Sequence, residues 1–119
     1  MSRLRLVAAK LRFFLCSGLP VHTPSLWVEG MALFPFILHK TKSPANYLLR
    51  HERIHLQQQL EMGILPFYVW YIAEYILRRL HRTHYHAYMA LAHEREAYVN
   101  DTDVNYLTNR RFWAWVKYL

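Results

Sequence analysis

Two histidines four residues apart, His51 and His55, enclose Glu52 in the run His51-Glu52-Arg53-Ile54-His55. In a helix, i and i+4 share a face, so both imidazoles can reach one metal ion while Glu52, one step round, stands beside the open coordination position. Zinc lowers the pKa of a bound water toward about 7, and a carboxylate next to that water can take its proton and hand it to a leaving amine. The run therefore offers two ligands and a general base for peptide hydrolysis, with Zn2+ as cofactor and a peptide or protein as substrate.

A catalytic zinc site takes a third protein ligand. The pattern H-E-x-x-H-x-x-G-x-x-H does not apply, because Gln58 stands in place of the glycine and Glu61 in place of the last histidine. The other arrangement draws a glutamate from a later helix, and Glu74, Glu94 and Glu96 are available. Glu94 and Glu96 are two residues apart, so on a helix they point to nearly opposite sides and only one can face the metal. Glu74 lies in an apolar run where a lone carboxylate is costly. Its simplest partner is Arg78, four residues on, and otherwise it could orient a ligating imidazole. Gln58 lies seven residues after His51, shares the histidine face and could touch substrate or a ligand.

These residues need elements to carry them. Ser43-Pro44 is a helix start, Ser as cap and Pro at the first position, and the spacing predicts a motif helix over 43–62 stopped by Gly63. A second helix is expected from near Pro66 through Arg79, and a third over 85–99 carrying Glu94 and Glu96. Asn100 to Asp103 reads as a break before a last helix through Trp113 to Tyr118. Ser17-Gly18-Leu19-Pro20 is turn chemistry, and Leu26–Leu33 with Phe34–His39 reads as a small hairpin. Pro35 would confine the second strand to an edge, where an extended peptide could add. The expected fold is mainly α (α+β), a helical core with a small β-hairpin.

The chain has 119 residues, enough for a single domain over 1–119, and 54% of them are hydrophobic, too many for disorder. The net charge is +7, but no nucleic-acid motif accompanies it, and Gly-rich phosphate loops are absent from the sequence. One cysteine, Cys16, precludes an internal disulfide and fits a reducing, cytoplasmic setting. Residues 1–16 pattern as a basic amphipathic helix, with Leu4, Leu6, Val7, Leu11, Phe14 and Leu15 between Arg3, Arg5, Lys10 and Arg12. Lys10 and Arg12 interrupt the apolar stretch a signal peptide would need. The longest apolar run, Ile64 to Leu77, falls short of the roughly 20 residues of a spanning helix. Its aromatics and the basic first helix leave peripheral membrane contact open. His81, His84, His86 and His93 read as a solvated cluster, and Phe112 to Trp115 as packing.

H-E-x-x-H followed on a later helix by E-x-x-A resembles the gluzincin group of zinc metallopeptidases. Glu94-Arg95-Glu96-Ala97-Tyr98 is similar to the E-x-x-A-[D/N] helix of membrane-linked zinc peptidases and small repressor-cleaving peptidases, with Tyr98 where that pattern has Asp or Asn. His51-Glu52-Arg53-Ile54-His55-Leu56-Gln57-Gln58-Gln59 also resembles short uncharacterised bacterial proteins with H-E-R-I-H-x-x-Q-Q and a later E-R-E-A-Y. The resemblance covers about half the chain and implies a minimal zincin-like fold, with His51, His55 and Glu94 as zinc ligands, Glu52 as base and Ala97 as the small residue that lets two helices approach. The register Glu96-Ala97-x-x-Asn100 keeps Glu96 as the alternative third ligand. A non-catalytic metal-binding or membrane-peripheral interaction protein is the alternative to a peptidase.

Overall fold

The computed structural model describes Arg3 and residues 18–119, so the amphipathic helix expected over 1–16 lies, but for Arg3, outside the described residues. Among the described residues the chain is mainly helical with a small three-stranded sheet. The strands are β1 (Leu19–His22), β2 (Gly30–Leu33) and β3 (Phe36–His39), in the order β1-β3-β2. β2 pairs antiparallel with β3, as the hairpin requires, and β1 pairs parallel with β3 on the other side.

Two expectations fail here. Leu19 and Pro20 form a strand instead of a turn, and β3 is the central strand instead of an edge. Pro35 lies in the turn ahead of β3, so its missing N–H removes no ladder bond, and its carbonyl accepts the Leu19 N–H at 2.9 Å, which seats β1. The turn at Gly18 is still real. Its φ is +81°, and a Cβ there would fall 2.6 Å from Ile37 Cδ1 and 2.9 Å from Leu56 Cδ1, both in the core. Gly18→Ala should therefore cost about 2–4 kcal/mol, left-handed backbone strain plus overpacking, as read from the midpoint of urea unfolding.

The helices are α1 (Asn46–Met62), α2 (Ile64–Arg79), α3 (His84–Ala90), α4 (Ala92–Asn100) and α5 (Tyr106–Asn109), closed by a 3-10 turn at Ala114–Tyr118. α1 starts later than Ser43: Ala45 is the extended cap, no side chain caps it, and its carbonyl takes the Leu48 and Leu49 N–H groups. Gly63, at φ +83°, ends α1 as expected, and α2 leaves at once at 110° to it. The single helix expected over 85–99 is two, because Leu91 is extended (φ −60°, ψ 134°) between α3 and α4. The last helix is likewise divided: Arg110 is extended after α5, and Trp113 is left-handed at φ 62°.

Ala32, Ile37 and Leu56 form one apolar cluster, with Phe34 and Leu49 against it, joining sheet to motif helix. A second lies around Phe67, His93 and Trp115, where the His93 ring stacks on Trp115 at 4.3 Å and meets Phe67 edge-on at 4.9 Å. His93 is therefore core, not part of a solvated cluster; burial, reinforced by His55, lowers its pKa to about 3 and keeps it neutral. Trp115 also packs on Trp70, as expected, whereas Phe112 and Trp113, expected to pack with it, are exposed.

Candidate metal centre

α1 is buried for its polar residues more than its apolar ones: His51, Glu52, His55, Gln57, Gln58 and Gln59 all lie inside. Such a stretch is costly unless every group finds a partner. Gln59 binds both sides of the strand end, donating to the Ala32 carbonyl at 2.9 Å and accepting the Phe34 N–H at 3.0 Å. Tyr68 from α2 donates to the same Ala32 carbonyl at 2.6 Å. β2 is thereby fixed beside the motif helix.

α4 brings Glu94 over the two histidines. Glu94 Oε1 lies 3.1 Å from His51 Nε2 and 2.7 Å from His55 Nε2, and the two Nε2 atoms are 3.2 Å apart. Bonds of about 2.0–2.1 Å to a tetrahedral ion would set donor atoms about 3.3 Å apart, so this triangle is close to one face of such a polyhedron. His51, His55 and Glu94 are all buried and form the one group of this kind among the described residues.

Proton bookkeeping makes the triangle distinctive. The Gln58 amide spends its two hydrogens on the His93 carbonyl at 3.1 Å and Glu96 Oε1 at 3.0 Å, so its oxygen must accept from His55 Nδ1, 2.8 Å away. His51 Nδ1 donates in the same way to Asp101 Oδ2 at 3.3 Å. Both Nε2 lone pairs then converge on a carboxylate oxygen, three acceptors facing one another. A proton can relieve one of these contacts, and a metal cation can relieve all three. Burial alone would push His55 down, but the Glu94 carboxylate beside it raises its pKa to about 9. Glu94 is held below its ordinary range against its own burial, chiefly by His55 and His51. The pocket attracts positive charge.

No family model matches the chain, and comparison with curated proteins and with solved structures finds no significant similarity. The chemistry of the site is therefore read from its own atoms.

Glu52 projects toward β2. Its Oε1 lies 3.3 Å from where a Cβ on Gly30 would stand, so glycine lets the strand edge approach the carboxylate. Burial raises the Glu52 pKa against the pull of His55 and His51, which suits a group that must accept a proton. His51 and Glu52 open on a cleft of about 400 Å³, bounded by Gly30, Tyr47, Tyr88 and Tyr98.

The remaining expected residues are placed as follows. Gln58 does touch a histidine, as described. Glu96 points away from the triangle and is held by Arg110, Tyr106 and Gln58. Glu74 touches neither imidazole: it pairs with Arg78 at 2.9 Å and accepts the Ala92 N–H at 3.3 Å, anchoring the start of the helix that carries Glu94. Ala97 is fully buried. Sequence reasoning missed Asp101 as the histidine brace, although it lies two helical turns after Glu94 and so on the same face. It also missed Tyr71, whose hydroxyl donates to Glu94 Oε2 at 3.4 Å, and Tyr98, whose ring meets His51 edge-on at 4.4 Å.

Proposed function

We propose that this chain is a zinc-dependent metallopeptidase of the gluzincin type, hydrolysing peptide bonds. The observation that carries the reading is the convergence of His51, His55 and Glu94 on one point with Glu52 beside it at an open cleft. Two imidazole nitrogens and one carboxylate oxygen, buried and leaving a position free, are a donor set suited to catalytic zinc. When bound, zinc would polarise the scissile carbonyl and make water acidic enough to attack near neutral pH. Glu52 would take the proton of that water and pass it to the leaving amine. Asp101 and Gln58 hold the imidazoles through Nδ1 and so keep both Nε2 lone pairs inward.

The strand edge supports a peptide as substrate. Glu29 O bonds to Lys40 N within the hairpin, whereas the Ala32 carbonyl points outward to Gln59 and Tyr68. By the alternation of an antiparallel ladder, the N–H and C=O of Gly30 also face away from β3, beside Glu52. An extended peptide could add there. The edge is β2, not the Phe34–His39 segment expected from Pro35.

The test is metal analysis of tag-free protein together with cleavage of a peptide library read by mass spectrometry. About one zinc per chain is expected, lost in His51→Ala and Glu94→Ala and kept in Glu96→Gln. Cleavage should stop with a chelator and return with zinc. Zinc bound without cleavage of any peptide would leave the non-catalytic metal-binding reading, and no zinc after reconstitution would overturn both.

A further inference from the structure

α2 is amphipathic in the reverse sense. Its polar side chains bond inward or along the protein: Tyr68 to Ala32, Tyr71 to Glu94, Glu74 to Arg78 and Ala92, Tyr75 to His84. Its outward face is apolar as far as Leu77, and Arg79 stands at its end. At about 100° per residue, Leu65, Val69, Ile72, Ile76 and Leu80 fall on one stripe, and each is at least half exposed. Beside this stripe Pro66, Trp70, Ala73 and Leu77 line a groove of about 770 Å³. Surface helices of water-soluble domains do the opposite, and a contiguous apolar face of this extent marks a binding surface.

The charge around that face identifies what it binds. The groove ends on Arg78, His81 and Arg82, which it shares with a second, open hollow that His86 and Arg95 also line. Arg79 flanks the stripe at the same end. The acid of α2, Glu74, is already paired to Arg78. A second copy of this chain would bring the same positive rim. The chain's own first sixteen residues carry Arg3, Arg5, Lys10 and Arg12 and no acid, so they too would meet like charge. Among the described residues no helix is long and apolar enough to cross a membrane.

We infer that the outward face of α2 lies on an anionic phospholipid surface, its apolar stripe among the acyl chains and its basic end against the phosphates. Apolar length with arginines at one margin is the pattern by which interfacial helices seat, and arginine can bury its stem while its head reaches phosphate. The cleft at Glu52 shares no lining residue with this face, so both can be occupied together. The inference does not depend on the peptidase reading.

The test is co-sedimentation of the full, metal-loaded chain with phosphatidylcholine vesicles, with and without about a quarter phosphatidylglycerol. Binding to the anionic vesicles should exceed binding to phosphatidylcholine alone by at least about tenfold and weaken as salt rises. Arg79→Gln with Arg82→Gln should lower it roughly 25-fold, at about one factor of five per charge. Ile72→Asp with Ile76→Asp, both exposed, should abolish it while circular dichroism and metal content stay as in the wild type. Acyl-brominated lipid should quench wild-type tryptophan fluorescence more than that of Trp70→Phe. No binding by the wild type, or equal binding to both vesicles, overturns the inference. So does undiminished binding by the Ile72/Ile76 variant, which would assign the membrane contact to another segment. So would a wild-type dimer that this variant splits without any lipid dependence, which would make the face a self-association surface.

Discussion

Glu52→Gln is expected to keep its metal and lose peptide cleavage by about 10²–10⁴-fold in kcat/KM, the usual contribution of a positioned general base. Glutamine fills the same space beside Gly30 and can still hydrogen-bond, but it has no carboxylate to take a proton from water. The atoms that could hold a metal belong to His51, His55 and Glu94, none of which changes. The fold should not suffer, because the variant removes a buried carboxyl whose charged form is disfavoured there, chiefly by desolvation and further by Glu94. Zinc content, thermal unfolding and kcat/KM on the best peptide of the library separate the outcomes. Unchanged metal and stability with activity lost assigns the proton transfer to Glu52. Activity within tenfold of the wild type would remove Glu52 from the mechanism and leave the metal triangle without its base.

Local signals made one half of this centre visible. The i, i+4 histidines share a face because helical geometry requires it, and Gly63 stops α1 where a positive φ is needed. The glutamate came from a motif on another helix, where spacing alone left Glu94 and Glu96 open. The two are separated by Arg110, which draws Glu96 away and is too distant in sequence for any helical pattern to report. Asn100 to Asp103 reads in sequence as a break between helices, while the Asp101 side chain turns back to His51. β1 was hidden for a related reason. Gly18-Leu19-Pro20 has the composition of a turn, and only parallel pairing with β3, reached through Pro35, makes it a strand. His93 looked like one of four solvent histidines because residue type carries no information about the Trp115 and Phe67 rings that enclose it.

Arg110→Met should be among the most destabilising single substitutions in the chain. The guanidinium reaches Glu61 with two bonds, 2.9 and 3.0 Å, and Glu96 with two more, 2.5 and 2.9 Å, and all three side chains are sealed from solvent. Removing the cation leaves two carboxylates buried together, a situation that costs about 3–5 kcal/mol. Against a total stability of about 5–15 kcal/mol, that is a large share and lowers Tm by roughly 15 °C. The loss should reach the metal centre as well. Glu96 Oε1 accepts the hydrogen that fixes the Gln58 amide, and Gln58 in turn fixes the His55 tautomer, so metal affinity should fall about 10–100-fold in the fraction that stays folded. Charge and packing are separable here, because Arg110→Met combined with Glu61→Gln and Glu96→Gln removes the repulsion while keeping the volume. That triple variant should recover most of the lost stability, since exchanging a whole buried ion cluster for neutral groups costs far less than breaking it. Urea unfolding of the single and triple variants measures this directly. A loss below about 1 kcal/mol in Arg110→Met would mean that Glu61 and Glu96 need no cation between them. The bend at Arg110 and the split C-terminal helix would then lack their physical cause.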